Sequence, residues 1–184
     1  MKVAILGNGF VGNATRYYLE KYCPNVKEIV IEDPGQGLHI DDWNDVVFTF
    51  ICVPTDLDGG DDKLSTTIVG QALKRAKGIP VIRSTIGVDH VTLLALGYNK
   101  DFLHWPEFLR EKHWEQDVND PNIPIVLGGS EDKRELLINS IFSSRKSYLS
   151  NKWMPCLGTQ AISLKDAKPV KSPLHPVTKS TSPV

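Results

Sequence analysis

Three glycines near the amino terminus have a spacing suited to binding phosphate. Gly7, Gly9 and Gly12 form a G-x-G-x-x-G motif that follows an apolar run and precedes a helical pattern. The first glycine permits a tight turn, the second lets the backbone approach a pyrophosphate, and the third lets the helix pack closely on the strand. Free N–H groups at the start of that helix would face the phosphates. In this setting the motif predicts a dinucleotide site, and a glycine-rich turn without a ligand is the alternative.

An acidic residue follows the motif at the distance that a dinucleotide site requires. Asp33 ends the second apolar run, residues 28–33. A carboxylate about 20 residues beyond the glycines accepts hydrogen bonds from the ribose hydroxyls of the adenosine. The same carboxylate would repel a 2′-phosphate, and no arginine or lysine follows it closely. The sequence therefore predicts NAD as the cofactor, in preference to NADP.

The elements that would position these residues alternate along the chain. A continuous apolar run rich in β-branched side chains, residues 46–53, is typical of a parallel strand buried on both faces. The predicted strands are residues 2–6, 28–33, 46–53, 80–83, 100–104 and 123–127, and the predicted helices are residues 10–22, 65–77, 88–96 and 132–142. This order predicts an α/β fold of the Rossmann type, a doubly wound, mostly parallel sheet.

The composition changes after about residue 148. Residues 150–184 contain five prolines and five lysines against one acid, Asp166, so this segment is +4 and residues 1–149 are −5. No periodic apolar pattern is present, and such a segment does not bury enough surface to offset its ordering entropy. We predict an NAD-binding domain over residues 1–149 and an irregular, mostly disordered tail over 150–184. Contact of this basic tail with an anionic partner is the alternative.

Composition also argues against several classes of protein. The net charge of −1 in 184 residues disfavours a dedicated nucleic-acid-binding protein. No apolar stretch approaches the roughly 20 residues of a membrane span, and the first apolar run is too short for a signal peptide, so we expect a cytoplasmic protein without a membrane partner. Three cysteines, Cys23, Cys52 and Cys156, lack metal-site spacing, and no metal is expected.

Several further segments resemble one enzyme family by their order and spacing. They are residues 51–55 (ICVPT), 58–65 (from DGG to LS), 83–86 (RSTI), 106–111 (PEFLRE) and 125–129 (IVLGG). Together with the glycine motif they resemble the amino-terminal NAD-binding domain of the UDP-glucose/GDP-mannose 6-dehydrogenases, over about residues 1 to 148. The PEFLRE segment is the most specific element.

The resemblance implies a reaction and roles for matching residues. Members of the family oxidise the 6-hydroxyl of a nucleotide sugar to a carboxylate with two NAD. Thr85 matches a threonine that helps to hold the catalytic water, and Glu107 matches a glutamate that takes part in acid–base chemistry. The expected cofactor-binding residues are Gly7, Gly9, Phe10, Val11, Gly12, Asp33, Val53, Pro54, Thr55, Ser84 and Thr85, and the expected substrate-binding residues are Glu107, Phe108, Leu109 and Glu111.

Each of these roles has a structural alternative. Thr85 could cap the following helix, and Glu107 could be a first-turn carboxylate that stabilises a helix dipole. Phe108 and Leu109 could be core residues.

The chain also departs from the family after residue 148. Complete members continue into a central helix with a catalytic lysine and asparagine, and then into a domain whose nucleophilic cysteine lies in a GGxCxPKD-like motif. Cys156 has no preceding glycine pair, and Lys165 and Asp166 follow it too late. The sequence thus looks truncated, and we expect little turnover from this chain alone. A non-catalytic NAD-binding remnant and a subunit that pairs with a separate carboxyl-terminal half or with itself are the alternatives. Which nucleotide sugar would bind is open.

Overall fold

A seven-stranded sheet with helices on both faces forms the body of the molecule. The computed structural model describes residues 1–55, 66–120, 122–123 and 125–142, and the backbone of 154–156. The strands are β1 (Lys2–Leu6), β2 (Glu28–Glu32), β3 (Val46–Ile51), β4 (Ile79–Ile82), β5 (Leu103–His104), β6 (Val126–Gly128) and β7 (Met154–Cys156). The helices are α1 (Phe10–Tyr22), α2 (Thr67–Arg75), α3 (Val88–Tyr98), α4 (Trp114–Asn119) and α5 (Glu131–Ile141), and 3₁₀ turns occupy Pro34–Gln36 and Glu111–His113.

The strand order reverses direction at β1. The order across the sheet is β2-β1-β3-β4-β5-β6-β7, so β1 pairs with β2 on one side and with β3 on the other. All described pairs are parallel except β5 with β6. In open α/β sheets a crevice forms outside the carboxyl ends of the strands where the order reverses. The fold therefore places a cleft above the ends of β1 and β3.

Alternating side chains of the buried strands fill one core on each face of the sheet. Phe48 and Phe50 point to the face that is covered by α1, α4 and α5, whereas Ile51 and Ile82 lie on the face that is covered by α2 and α3. All four side chains are fully buried. The continuous apolar sequence of β3 is needed because both of its faces are covered.

The predicted α/β fold with a mostly parallel sheet is confirmed, with three differences in detail. The helix α4 had no predicted counterpart, β6 runs antiparallel to β5, and residues 154–156 of the predicted tail form β7 beside β6. Residues 58–65 and the rest of the tail lie outside the described residues. The division of the chain at residue 149 stays a prediction.

Neither a membrane-spanning helix nor a metal-binding cluster occurs among the described residues. No helix among them is long and apolar enough to cross a bilayer. Nor do those residues contain a group of three or more His, Cys, Asp or Glu side chains placed to hold a metal ion.

Candidate functional site

The glycine loop between β1 and α1 is shaped by its first and third glycines. Gly7 has φ of +94°, and a Cβ there would lie 2.5 Å from the carbonyl oxygen of Cys52. A Cβ on Gly12 would lie 2.1 Å from the carbonyl oxygen of Gly7. A Cβ on Gly9, by contrast, would meet nothing within 4 Å. Packing thus explains two of the glycines, and the third borders open space in the cleft.

Hydrogen bonds join the glycine loop to the segment after β2. The backbone N–H of Asn8 donates to Oδ2 of Asp33 at 2.8 Å, and its side-chain amide donates to Oε1 of Gln36 at 2.8 Å. Below them, the Gly7 N–H donates to the Glu32 carbonyl oxygen at 2.8 Å. One oxygen of Asp33 therefore holds the loop, while the carboxylate as a whole lines the cleft. Loop and acid form one unit.

The cleft unites most of the predicted cofactor residues in one cavity of about 380 Å³. Its walls come from the glycine loop, the end of β2, the segment after β3 and the segment after β4. The lining residues are Gly7, Gly9, Phe10, Val11, Asp33, Gln36, Cys52, Val53, Pro54, Thr55, Ser84, Thr85 and Glu107. Of the predicted cofactor residues only Gly12 is not in this wall, because it is buried in the contact between α1 and the loop.

The segments after β3 and β4 are bonded to each other at the floor of the cleft. The Ser84 hydroxyl donates to the carbonyl oxygen of Val53 at 2.6 Å. Thr85 is exposed beside it. The N-cap residue of α3 is Gly87, and no side chain forms a capping hydrogen bond with that helix. The alternative in which Thr85 caps α3 is therefore wrong.

Glu107 lies where the cleft meets a second, smaller cavity of about 50 Å³. Its Oε2 accepts a hydrogen bond from the Leu109 N–H at 2.7 Å. Neither α4 nor the 3₁₀ turn before it begins until four or more residues later, so Glu107 is not a first-turn helix carboxylate. The second cavity is lined by Ala14, Tyr18, Arg83, Trp105, Pro106, Glu107, Phe108, Leu109, Asp117, Val118, Asp120, Ile123 and Ile125.

The predicted substrate residues divide into two groups. Phe108 and Leu109 line the second cavity beside Glu107, and Phe108 is 48 % exposed, so it is not a core residue. Leu109 is partly buried against the core. Glu111 is exposed at the start of a 3₁₀ turn and lines neither of these two cavities.

An ion pair anchors the chain that follows Glu107. Arg110 donates through Nε and Nη2 to the two carboxylate oxygens of Asp117, at 3.1 and 2.6 Å, and its backbone N–H donates to Oδ2 at 2.8 Å. These hydrogen bonds lower the pKa of the Asp117 carboxyl to about 2. The pair fixes the PEFLRE segment against α4, which keeps Glu107 at the edge of the cleft.

A buried polar cluster below the cleft was not predicted from the sequence. The Arg83 guanidinium is stacked on Trp105, 3.8 Å from the ring centroid, and its Nε donates to the Thr15 hydroxyl at 3.3 Å. Burial lowers the pKa of Arg83 to about 10 and that of His104 to about 4, and burial raises the pKa of the Cys52 thiol to about 11. At neutral pH Arg83 is thus charged, whereas His104 and Cys52 are neutral.

Solved structures share this architecture. The chain has a Rossmann fold. It is similar to an imine reductase from a Pseudomonas species, at 15 % identity and TM-score 0.51 over 78 % of this chain and 52 % of that one. It is similar to a reductive aminase from Aspergillus terreus in complex with NADPH and ethyl levulinate, at 15 % identity and TM-score 0.51 over 76 % of this chain and 52 % of that one.

A third solved structure is a conserved protein of unknown function that resembles 3-hydroxyacid dehydrogenases, at 15 % identity and TM-score 0.51 over 77 % of this chain and 55 % of that one. The chain spans about half the length of these structures. No family profile and no curated protein matches it by sequence. At such identities the likeness shows the fold, and it gives no specific support to the nucleotide-sugar dehydrogenases.

Proposed function

We propose that the chain binds a nicotinamide adenine dinucleotide in the 380 Å³ cleft and serves as the cofactor-binding part of an NAD(P)-dependent oxidoreductase. The observation that carries the proposal is the convergence of the glycine loop, Asp33 and the ends of β3 and β4 on a single cavity at the point where the strand order reverses. The solved complex of the reductive aminase with NADPH, on the same fold, supports it.

The residues present fit the parts of such a cofactor in order along the cleft. The open space beside Gly9, next to the start of α1, suits the pyrophosphate. Asn13 donates from its side-chain amide to the carbonyl oxygens of Asn8 and Gly9, at 2.9 and 3.0 Å, and so stiffens the loop. Asp33 would receive the ribose hydroxyls, and Ser84 and Thr85 would flank the nicotinamide. A bound dinucleotide supplies hydride transfer, which the protein orients.

We further propose that the cofactor is NAD and not NADP. The support is the Asp33 carboxylate in the cleft wall, because its charge would repel a 2′-phosphate. Calorimetric titration of the full chain with NAD and NADP tests both proposals. Heat on addition of NAD with weaker binding of NADP is expected. No binding of either would contradict the cofactor proposal, and equal affinities would contradict only the NAD preference.

Two substitutions at Asp33 separate its charge from its contact with the loop. Asp33→Asn keeps an oxygen that can accept the Asn8 N–H but removes the negative charge. We therefore expect it to reduce the difference in affinity between NAD and NADP. Asp33→Ala also removes the acceptor, and NAD affinity should fall by about 1–3 kcal/mol. Glu135→Gln is the matched control, since Glu135 is an exposed acid on α5 outside both cavities. Equal effects of all three changes would show that general charge, not Asp33, sets the affinity.

The finer proposal is that the substrate is a nucleotide sugar whose 6-hydroxyl is oxidised. Its support is the motif resemblance, together with the position of Glu107 at the junction of the two cavities and of Phe108 beside it. Thr85 would hold water near the nicotinamide, and Glu107 would act as an acid or a base toward the oxygen on the sugar carbon that loses a hydride to NAD. A chain that binds NAD but does not turn over, or that works with a partner chain, is the alternative proposal.

Two measurements distinguish these alternatives. Incubation of the full chain with NAD and UDP-glucose or GDP-mannose should give NADH if the chain is a complete catalyst. NAD binding without NADH formation favours the binding alternative, in which catalytic residues needed for the oxidation come from elsewhere. Binding of UDP-glucose that is lost in Glu107→Gln but kept in Glu135→Gln would support the substrate assignment. No binding of either nucleotide sugar would contradict it.

A further inference from the structure

Arg83 is a buried cation whose known contacts leave part of its hydrogen-bonding capacity unused. It follows β4 and is 5 % exposed. Its Nε donates to the Thr15 hydroxyl at 3.3 Å, its Nη1 donates to the Trp105 carbonyl oxygen at 3.1 Å, and the Trp105 ring covers one face. A guanidinium has five N–H groups, so these two bonds leave the Nη2 group to donate elsewhere. Two residues, Thr15 and Trp105, thus hold the guanidinium through three contacts.

The Arg83 guanidinium makes no direct ion pair with an acid among the described residues, and the acid whose charge acts on it from farther away is Glu107. None of the ion pairs that they form includes Arg83. Of the three acids that line a cavity together with Arg83, Asp117 pairs with Arg110, the Glu107 carboxylate accepts the Leu109 N–H, and Asp120 accepts the Asn122 N–H. With a pKa of about 10 after burial, Arg83 remains protonated at neutral pH. A buried, unpaired charge is costly, and proteins keep such groups where a ligand or a partner completes them.

Arg83 borders the second cavity. That cavity, of about 50 Å³, is lined by Arg83 together with apolar side chains that include Leu109, Val118 and Ile125. One water molecule needs about 10–15 Å³ by the same kind of measure, so there is room for a few waters or for a small planar group. The lining holds one cationic side chain, Arg83, and the carboxylates of Glu107, Asp117 and Asp120, of which Asp117 is paired with Arg110. A ligand with a single negative charge therefore suits the cavity better than a more highly charged anion.

We propose that Arg83 is an anion-binding residue and that the second cavity takes the carboxylate group of a small organic acid. A guanidinium fork matches the planar geometry of a carboxylate and can bind it through two parallel hydrogen bonds. This site is distinct from the proposed dinucleotide site, because Arg83 does not line the 380 Å³ cleft. Glu107 lies between the two cavities, and its charge weakens the binding of any anion beside it.

The test is an NMR titration of the full-length, ¹⁵N-labelled chain without cofactor. Sodium propionate is the probe, with sodium phosphate and sodium chloride at equal ionic strength as comparisons. The Arg83 Nε–H signal and the Trp105 indole N–H signal are followed, because the two groups are stacked. Arg16 is the internal reference, since it is partly exposed on α1 and pairs with Glu20. We expect saturable shifts at Arg83 and Trp105 with propionate and only small, unsaturated shifts with the other salts.

Three variants sharpen the result through the Trp105 signal. Arg83→Lys keeps the charge but loses the fork, and propionate affinity should fall at least tenfold. Arg83→Met should abolish the shift, and Arg83→Lys keeps the test valid if the methionine variant does not fold. Glu107→Gln removes the neighbouring charge and should tighten propionate binding at least threefold.

Several outcomes would overturn the proposal. These are no saturable shift with propionate, a saturable shift with phosphate alone, or equal propionate affinity in Arg83→Met and the unchanged chain. An Arg83 signal that moves in Glu107→Gln while no anion binds would show that Glu107 itself is the partner of Arg83. Because the titration contains no cofactor, its result is separate from the NAD titration, and either proposal can fail without the other.

Discussion

Substitution of Gly9 and of Gly12 by alanine should separate cofactor binding from stability. At Gly12 the new Cβ would lie 2.1 Å from a carbonyl oxygen and 3.0 Å from a carbonyl carbon, both in the backbone of Gly7. Neither atom can move without displacing the loop, so we place the cost at the upper end of the ~1–3 kcal/mol that is typical of overpacking. The helix propensity that alanine gains, about 1 kcal/mol, offsets only part of this cost. We expect a net loss of about 2 kcal/mol.

At Gly9 the same methyl group should leave stability nearly unchanged. No atom lies within 4 Å of the new Cβ, and Gly9 has φ of −74°, which alanine adopts without strain. The poorer helix N-cap costs about 0.5 kcal/mol, whereas the reduced entropy of the unfolded chain returns about 0.4–1 kcal/mol. The methyl group would, however, occupy the space proposed for the pyrophosphate. NAD affinity should fall at least about tenfold, which corresponds to about 1.4 kcal/mol.

Urea and thermal unfolding measure the stability of the two variants, and calorimetry measures their affinity for NAD. A loss of about 2 kcal/mol in Gly12→Ala would lower the melting temperature by about 4–8 °C for a chain of this size. Gly9→Ala should have the same melting temperature as the unchanged chain and should bind NAD more weakly. If Gly9→Ala binds NAD as tightly as the unchanged chain, the phosphates do not lie at Gly9, and the reasoning from the open space is refuted.

Two further predictions concern stability. His104 is buried, and its pKa of about 4 lies below the ordinary value of about 6.5. The unfolded chain therefore binds a proton at this side chain more readily than the folded chain does. As the pH falls from 6.5 to 4, the free energy of unfolding should decrease by about 3 kcal/mol through this group. In His104→Leu, the urea midpoint of unfolding should depend less on pH across that range. An unchanged pH dependence would contradict the assignment. Gly70 lies inside α2, where a Cβ would be 2.1 Å from the Tyr98 hydroxyl oxygen, so Gly70→Ala should cost up to about 2 kcal/mol after the helix propensity that alanine gains. Tyr98→Leu should rescue it in a double-mutant cycle, and purely additive losses would show that the contact is not the cause.

The parts of the fold that depend on local sequence could be predicted well. The strand Lys2–Leu6 and the helix Phe10–Tyr22 have their predicted bounds, because a short apolar run, the glycines and Pro24 define them within one segment. The position of Asp33 beside the glycine loop also follows from the order of strand, helix and strand. The fifth strand begins at Leu103 and not at residue 100, since Lys100 instead donates to the carbonyl oxygens of Leu73 and Ala76 near the end of α2.

Features that depend on distant segments could not be predicted. Apolar periodicity shows that residues 123–127 favour a strand but carries no information about its direction, and β6 runs antiparallel to β5. The helix α4 has only six residues, too few for a periodic pattern. The Arg83 cluster unites α1, the end of β4 and the end of β5, and the only sequence signal for it was an arginine directly after a buried strand.

The position of β1 between β2 and β3 has a consequence for how the chain folds during its synthesis. The strand β1 needs partners on both edges, and its last residue, Leu6, pairs with Glu32 on one side and Ile51 on the other. Because β2 precedes β3 in the chain, one edge of β1 can close with β2 while the other stays open until β3 has emerged. The pairing with β2 closes the shorter loop, so its entropic cost is lower by about 0.5 kcal/mol. We expect the β1–α1–β2 unit to form first during translation, and its open edge to be where a chaperone or a stray strand would bind until β3 arrives.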